Sequence, residues 1–287
     1  MKTVVAIVGA VLVIFTAGDM SKAASFDCSK AATKPEKLVC SDPILSTIDE
    51  QIAELYRQVL AGASDKEGVR KEQRNWIKTQ RDSCQDASCM VEACQKRVAD
   101  LENTIHQRMQ ETFKEAELHF TFRGNPINPL ALQQLSPWLS DSLPGAVAVD
   151  VAGTAADTNQ YFAEVEKSEK GLISVKKSDK KTGEDSSFTY KYLGRLANGK
   201  GAHVVETWDW GGGSGIFTHL LLLNFRLDSE YTGTGAPRER LVLARAGEII
   251  LGDRFVGLIT IKDDQIVIVE SETHGREHAS PRVIPIR

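Results

Sequence analysis

"SFDCSKAATKPEKLVCSDPILSTIDEQIAELY", Ser25 to Tyr56, sets two cysteines in front of a helix whose apolar residues recur on one side. Thr33-Lys34-Pro35-Glu36 has the capping-box form, in which the Thr hydroxyl bonds a backbone N–H and the Glu reaches back to the cap. A short helix is therefore predicted from Lys34 to about Cys40. Asp42-Pro43 supplies an N-cap and a first-turn proline for the next one. Along it Ile44, Ile48, Ile52, Leu55 and Val59 form an amphipathic stripe, widened by Leu45, Tyr56 and Leu60. Ala61-Gly62-Ala63-Ser64-Asp65 breaks the pattern. A further helix carries Val69, Gln73, Trp76, Ile77 and Gln80 and ends near Asp82. The last begins after Asp86, carries Met90, Val91, Cys94, Val98, Leu101, Ile105 and Met109, and runs to about Glu115.

The compartment bears on the cysteines. Lys2 followed by the apolar run Val4 to Phe15, with small residues at Ser21, Ala23 and Ala24, is expected to be a signal peptide (1–23) cut after Ala23. The run falls short of the roughly 20 residues that span a bilayer. Cys28 follows Asp27 rather than a small-residue box, so no membrane anchor is expected after cleavage. The expected location is periplasmic or secreted, where disulfides form. The chain carries −4, and removing Lys2, Asp19 and Lys22 takes away a net +1, which leaves about −5 and argues against nucleic acid.

Short connections make successive helices antiparallel, so Cys28, Cys40, Cys84 and Cys89 gather near one pole of a bundle. Four cysteines allow three pairings. The local pairs Cys28–Cys40 and Cys84–Cys89 are preferred, with the crossed pairings as alternatives. Each bridge adds roughly 2–4 kcal/mol to a small core. The spacings match no zinc knuckle, and no C-x-x-C follows a strand. Cys94, on the stripe with Met90, Val98 and Leu101, reads as a small buried hydrophobe.

These segments resemble a known family. "FDCSKAATKPEKLVCSDPILSTIDEQIAELYRQVL", "EQRNWIKTQRDSC" and "CMVEACQKRVADL" are similar to the LprI-type lysozyme inhibitor N-terminal domain of exported bacterial proteins. The resemblance covers residues 25–105 and rests on Phe26, Asp27, Cys28, Cys40, Asp49, Tyr56, Gln73, Arg74, Trp76, Arg81, Asp82, Cys84, Cys89, Arg97 and Leu101. Met90 stands where Leu is usual, and Cys94 where Tyr or Thr is usual. The resemblance implies a non-catalytic inhibitor of lysozyme or a related peptidoglycan-cleaving enzyme, a lysozyme-like protein partner and no cofactor. Such an inhibitor would occlude a cleft that carries two carboxylates. A periplasmic immunity protein against an envelope toxin, or an envelope glycan- or protein-binding module, is the alternative. Trp76 reads as core, and Arg81 and Asp82 as pole-end charges, an ion pair or a partner-binding set.

From Leu118 the period changes to two. "LHFTFR", "AVAVDVAG", "GLISVKK", "SFTYKYLGR", "AHVVETWDW", "GIFTHLLLLNFRL", "RLVLAR", "VGLITIK" and "QIVIVESE" read as strands, with a short helix in "NPLALQQLSPWL". A solvated loop is expected over 178–187 and a hairpin turn at Asp263-Asp264. The expected fold is α+β in two domains: a disulfide-stapled antiparallel helical bundle over 24–112 and a mainly antiparallel β domain over 113–287.

Within the β domain, Trp208 to Phe217, "WDWGGGSGIF", offers Trp208, Asp209, Trp210 and Ser214 as an aromatic partner-binding edge. The competing reading is a hairpin whose glycines allow positive φ and whose tryptophans cover a sheet face. Gly212 to Ile216 lacks the last glycine of a nucleophile elbow and the lysine of a phosphate loop. Asp253 and Arg254 read as a turn-stabilising ion pair. Glu272, His274 and His278 lie close in sequence, but no completing ligand set is evident, and no metal site is expected.

Overall fold

A computed structural model describes residues 24–136, 145–151, 164–178, 185–197, 201–262, 265–271 and 281–285. The expected signal peptide, the Asp263-Asp264 turn and the residues Glu272, His274 and His278 lie outside them. The chain forms two compact units. One comprises residues up to Thr104 with Thr232–Ala236, and the other comprises Ile105–Tyr231 and Pro237–Arg287.

The first unit is helical. A 3-10 turn, Cys28–Lys30, precedes α1 (Lys34–Ser41) and α2 (Pro43–Ala61). The capping box is formed: Glu36 Oε2 accepts from the Ala32 and Thr33 backbone N–H groups, and Thr33 Oγ1 accepts from that of Glu36. Asp42 caps α2 by accepting from Ile44 and Leu45 N–H. The α2 stripe buries Leu45 and Leu55 completely. Then come α3 (Lys66–Trp76), a π segment (Ile77–Arg81) and α4 (Ala87–His119). The helix expected to reach Asp82 thus widens after Trp76, and the Asp82 N–H donates five residues back to Ile77 O at 2.9 Å. Two disulfides, Cys28–Cys40 and Cys84–Cys89, staple the unit, with Cα atoms 5.7 and 5.5 Å apart.

Helix α4 passes the unit boundary and ends later than its expected limit near Glu115. Leu118 and His119, read as the start of a strand, complete its last turn. Phe120 then takes φ 54° while its N–H donates to Ala116 O, a left-handed helix stop. Strands β1 (Thr121–Phe122) and β2 (Asn125–Pro126) follow as a hairpin. Both turn residues, Arg123 and Gly124, have positive φ, as the favoured two-residue turn requires. Asn128 caps the short α5 (Pro129–Leu135).

The rest of the second unit is antiparallel sheet. Strands β3 (Ala148–Asp150), β4 (Glu166–Lys167), β5 (Leu172–Ser178), β6 (Asp185–Arg195), β7 (His203–Trp210), β8 (Phe217–Tyr231) and β9 (Pro237–Asp253) form one seven-stranded sheet in the order β3-β9-β8-β7-β6-β5-β4. Ser178 pairs with Asp185, so the loop expected over 178–187 is shorter than its sequence implied. Strands β10 (Gly257–Lys262), β11 (Gln265–Glu270) and β12 (Arg282–Pro285) form a second sheet. Alternation divides the large sheet into two faces. The inner face, with Phe188, Tyr190, Val205 and Leu221, packs on α5 and the end of α4. The outer face, with Val204, Leu220, Ile249 and Leu251, packs on Ile266 and Ile268 of the small sheet.

Candidate binding sites

The pole of the helical unit is built by local chemistry. Lys34 donates to Gln85 O at 2.9 Å, tying the start of α1 to the Cys84–Cys89 loop. Arg81, the last residue of the π segment, and Asp82 after it pair with each other, Nε to Oδ1 at 2.8 Å. On α4 Arg97 is buried, donating to Gln73 Oε1 at 2.8 and 3.1 Å and to Glu72 at 2.7 Å. Trp76 is a core residue, 5% exposed. Cys94 is a buried free thiol, and burial pushes it up to about 11, out of reach of nucleophilic chemistry near neutrality.

At the end of β7 the period of two separates the residues that lie together in sequence. Trp208 and Trp210 fall on the outer face, both half-buried, and line a pocket of ≈ 410 Å³ with Leu172, Ser187, Thr189 and Ile216. Asp209 points to the inner face, is 7% exposed, and accepts from Gln133 Nε2 at 3.2 and 3.3 Å. Ser214 lies in the exposed glycine loop, where its carbonyl accepts from the Arg254 guanidinium. The two tryptophans are therefore brought together, while Asp209 and Ser214 serve elsewhere. Pocket residues on β5 and β6 carry no local signal, because register alone places Thr189 beside Trp208 and Ser187 beside Trp210.

The glycine loop is held firmly. Trp210 Nε1 donates to Gly213 O at 2.6 Å, and Gly212 takes φ 92°. Asp253 accepts from the Ile216 N–H at 2.8 Å, while Arg254 N–H donates to Ile216 O. Asp253 and Arg254, expected to pair with each other, do so at the long distance of 4.0 Å, and each side chain also holds the backbone of this loop. Asp253, the last residue of β9, thus accepts from a loop N–H, while the Arg254 guanidinium donates to the Ser214 carbonyl.

Two buried histidines lie near carboxylates on the inner side, and one of them bonds its carboxylate directly. His219 Nδ1 lies 2.6 Å from Glu248 Oε1. His203 is fully buried, with Nδ1 3.1 Å from the Tyr192 hydroxyl and Nε2 3.5 Å from Glu117. On the outer face, burial raises the Glu206 carboxyl above its ordinary range, and Lys191 across the strand pulls it back. Among the described residues no three His, Cys, Asp or Glu side chains are grouped to hold a metal ion, and no helix is long and apolar enough to cross a membrane.

Comparison with curated proteins and with solved structures gives no match. Residues 28–117, the segment that holds both disulfides and the buried arginine just described, match the family model described as lysozyme inhibitor LprI.

Proposed function

We propose that the protein is an exported inhibitor of lysozyme or a related peptidoglycan-cleaving enzyme in the bacterial envelope, acting without turnover by occluding the target's cleft. The observation that carries this reading is the match of residues 28–117 to the lysozyme inhibitor family. Cross-linking supports it: two disulfides staple the helical pole and the Arg97 network ties α4 to α3, which lowers the ordering cost of association. The contact surface in this proposal is that pole, with Arg81, Asp82 and the exposed Lys34, Lys37 and Lys78. Cationic side chains there complement a cleft that uses two carboxylates.

Lysozyme turnover measured against rising concentrations of the purified protein tests the proposal. Saturable slowing is expected, weakened by Arg81→Ala and Lys34→Ala. Unchanged turnover at micromolar excess across the common lysozyme classes overturns it.

A further inference from the structure

We propose that the outer face of the seven-stranded sheet carries a second, independent site, a pocket for an uncharged saccharide built on Trp208 and Trp210. The register sets the site out in rows. Ser174, Thr189, Trp208 and Thr218 lie side by side across β5 to β8, and Lys176, Ser187 and Trp210 form the next row. The small sheet covers Val204 and Leu220 on this face, and the tryptophans lie beyond that cluster. The resulting pocket, ≈ 410 Å³, falls within the range of about 300–1,000 Å³ usual for small-molecule sites.

Three properties select the ligand. The lining side chains Leu172, Ser187, Thr189, Trp208, Trp210 and Ile216 are all uncharged. The charged groups nearby on the same face are matched: Lys191 opposes Glu206 across the strands, and Lys176 is 3.0 Å from Glu166. A charged ligand would thus enter without a partner, which burial penalises. Next, the Ser187 and Thr189 hydroxyls and the Trp208 N–H have no hydrogen-bond partner among the described residues, so they are available at the rim of an apolar floor. An alkyl ligand would cover these groups without bonding them, whereas a pyranose lays its C–H face on an indole and turns hydroxyls towards them. Last, the Trp210 ring is fixed by its bond to Gly213 O, and the loop beyond it by Arg254 and Asp253, so little ordering remains to be done on binding.

The test is calorimetric titration of the purified protein with triacetylchitotriose, cellotriose and maltotriose, alongside tryptophan emission. Saturable binding of at least one trisaccharide is expected, weakened about tenfold or more by Trp208→Ala or Trp210→Ala and a fewfold by Ser187→Ala or Thr189→Ala. The hydroxyl variants keep the test open should the tryptophan variants misfold. In the unsubstituted protein the bound saccharide is expected to shield Trp208 and Trp210 from N-bromosuccinimide, read by peptide mass. Failure of all three trisaccharides to bind at millimolar concentration overturns the proposal. So does binding that leaves both indoles open to oxidation, or decanoate binding that no saccharide displaces.

Discussion

The guanidinium carbon of Arg97 lies 5.7 Å from the centre of the Trp76 ring, and both residues are 5% exposed. The α4 arginine thereby joins α3 through one aromatic face and the side-chain oxygen of Gln73. Removing it strands the Gln73 oxygen and the Trp76 face in a dry interface. Arg97→Ala should lower unfolding free energy by about 2–4 kcal/mol. Glu72, its other partner, is 67% exposed on its side chain, so Glu72→Ala should cost under about 1 kcal/mol. Urea denaturation of the two variants checks the contrast, and equal losses would contradict it.

The two disulfides close loops of different length, with sequence separations of 12 and 5. If they act chiefly on the unfolded chain, replacing Cys28 and Cys40 by serine should cost about 3 kcal/mol and replacing Cys84 and Cys89 about 2 kcal/mol. Denaturation midpoints of the paired variants test the order. Mass mapping of unreduced peptides should recover only these two linkages, with Cys94 as a thiol.

What was legible in the sequence is what depends on neighbours along the chain. Thr33 and Glu36 announce their capping box and Asp42 its cap, because each bond spans only two to four residues. The outcome at Leu118 shows the limit. Leu118, Phe120 and Phe122 alternate as a strand would, yet Phe120 needs its ring against Tyr192, 4.9 Å away and parallel, and it gets there from a left-handed helix stop. That preference belongs to tertiary packing, which local periodicity does not carry. The same applies to the pocket: the tryptophans attract attention in the sequence, but their setting depends on cross-strand register between Thr189 and Trp208. Strand β9 is a third case. "RLVLAR" reads as a short strand and Asp253-Arg254 as a turn, whereas pairing with β8 carries one strand through Gly247 to Asp253, accommodated by register shifts near Thr218 and Leu222.

Cys94 offers a pH test inside the helical unit. Burial is the largest cause of its raised value, about 11, with Asp49 adding and Arg81 opposing. A thiol whose folded pKa lies above its unfolded one contributes stability that is complete below the unfolded value, near 9, and is lost as pH rises towards 11. The gap in denaturation midpoint between the wild-type protein and Cys94→Ala should therefore narrow between those limits. At pH 8 the native thiol should also resist a disulfide reagent that labels it once the chain is unfolded. Fast labelling of the native protein would show the site to be open.

The second unit holds the opposite case in His203. Its ring is fully buried between Phe120 and Phe225, with centroids 5.3 and 5.2 Å away, and faces the carboxylate of Glu117, which Arg195 also engages. Burial lowers the imidazole below its ordinary 6.5, Glu117 pulls it upward, and Arg195 lowers it further. Because the folded state disfavours the proton, the stabilisation is present above 6.5 and is lost as pH falls through the lower folded value. Acidification from neutral to about pH 5 should destabilise the wild-type protein more than His203→Phe, since the unfolded histidine gains a proton that the native site resists. Chemical denaturation of both proteins across that range supplies the comparison, and a difference that stays constant with pH would mean that His203 takes up its proton without unfolding.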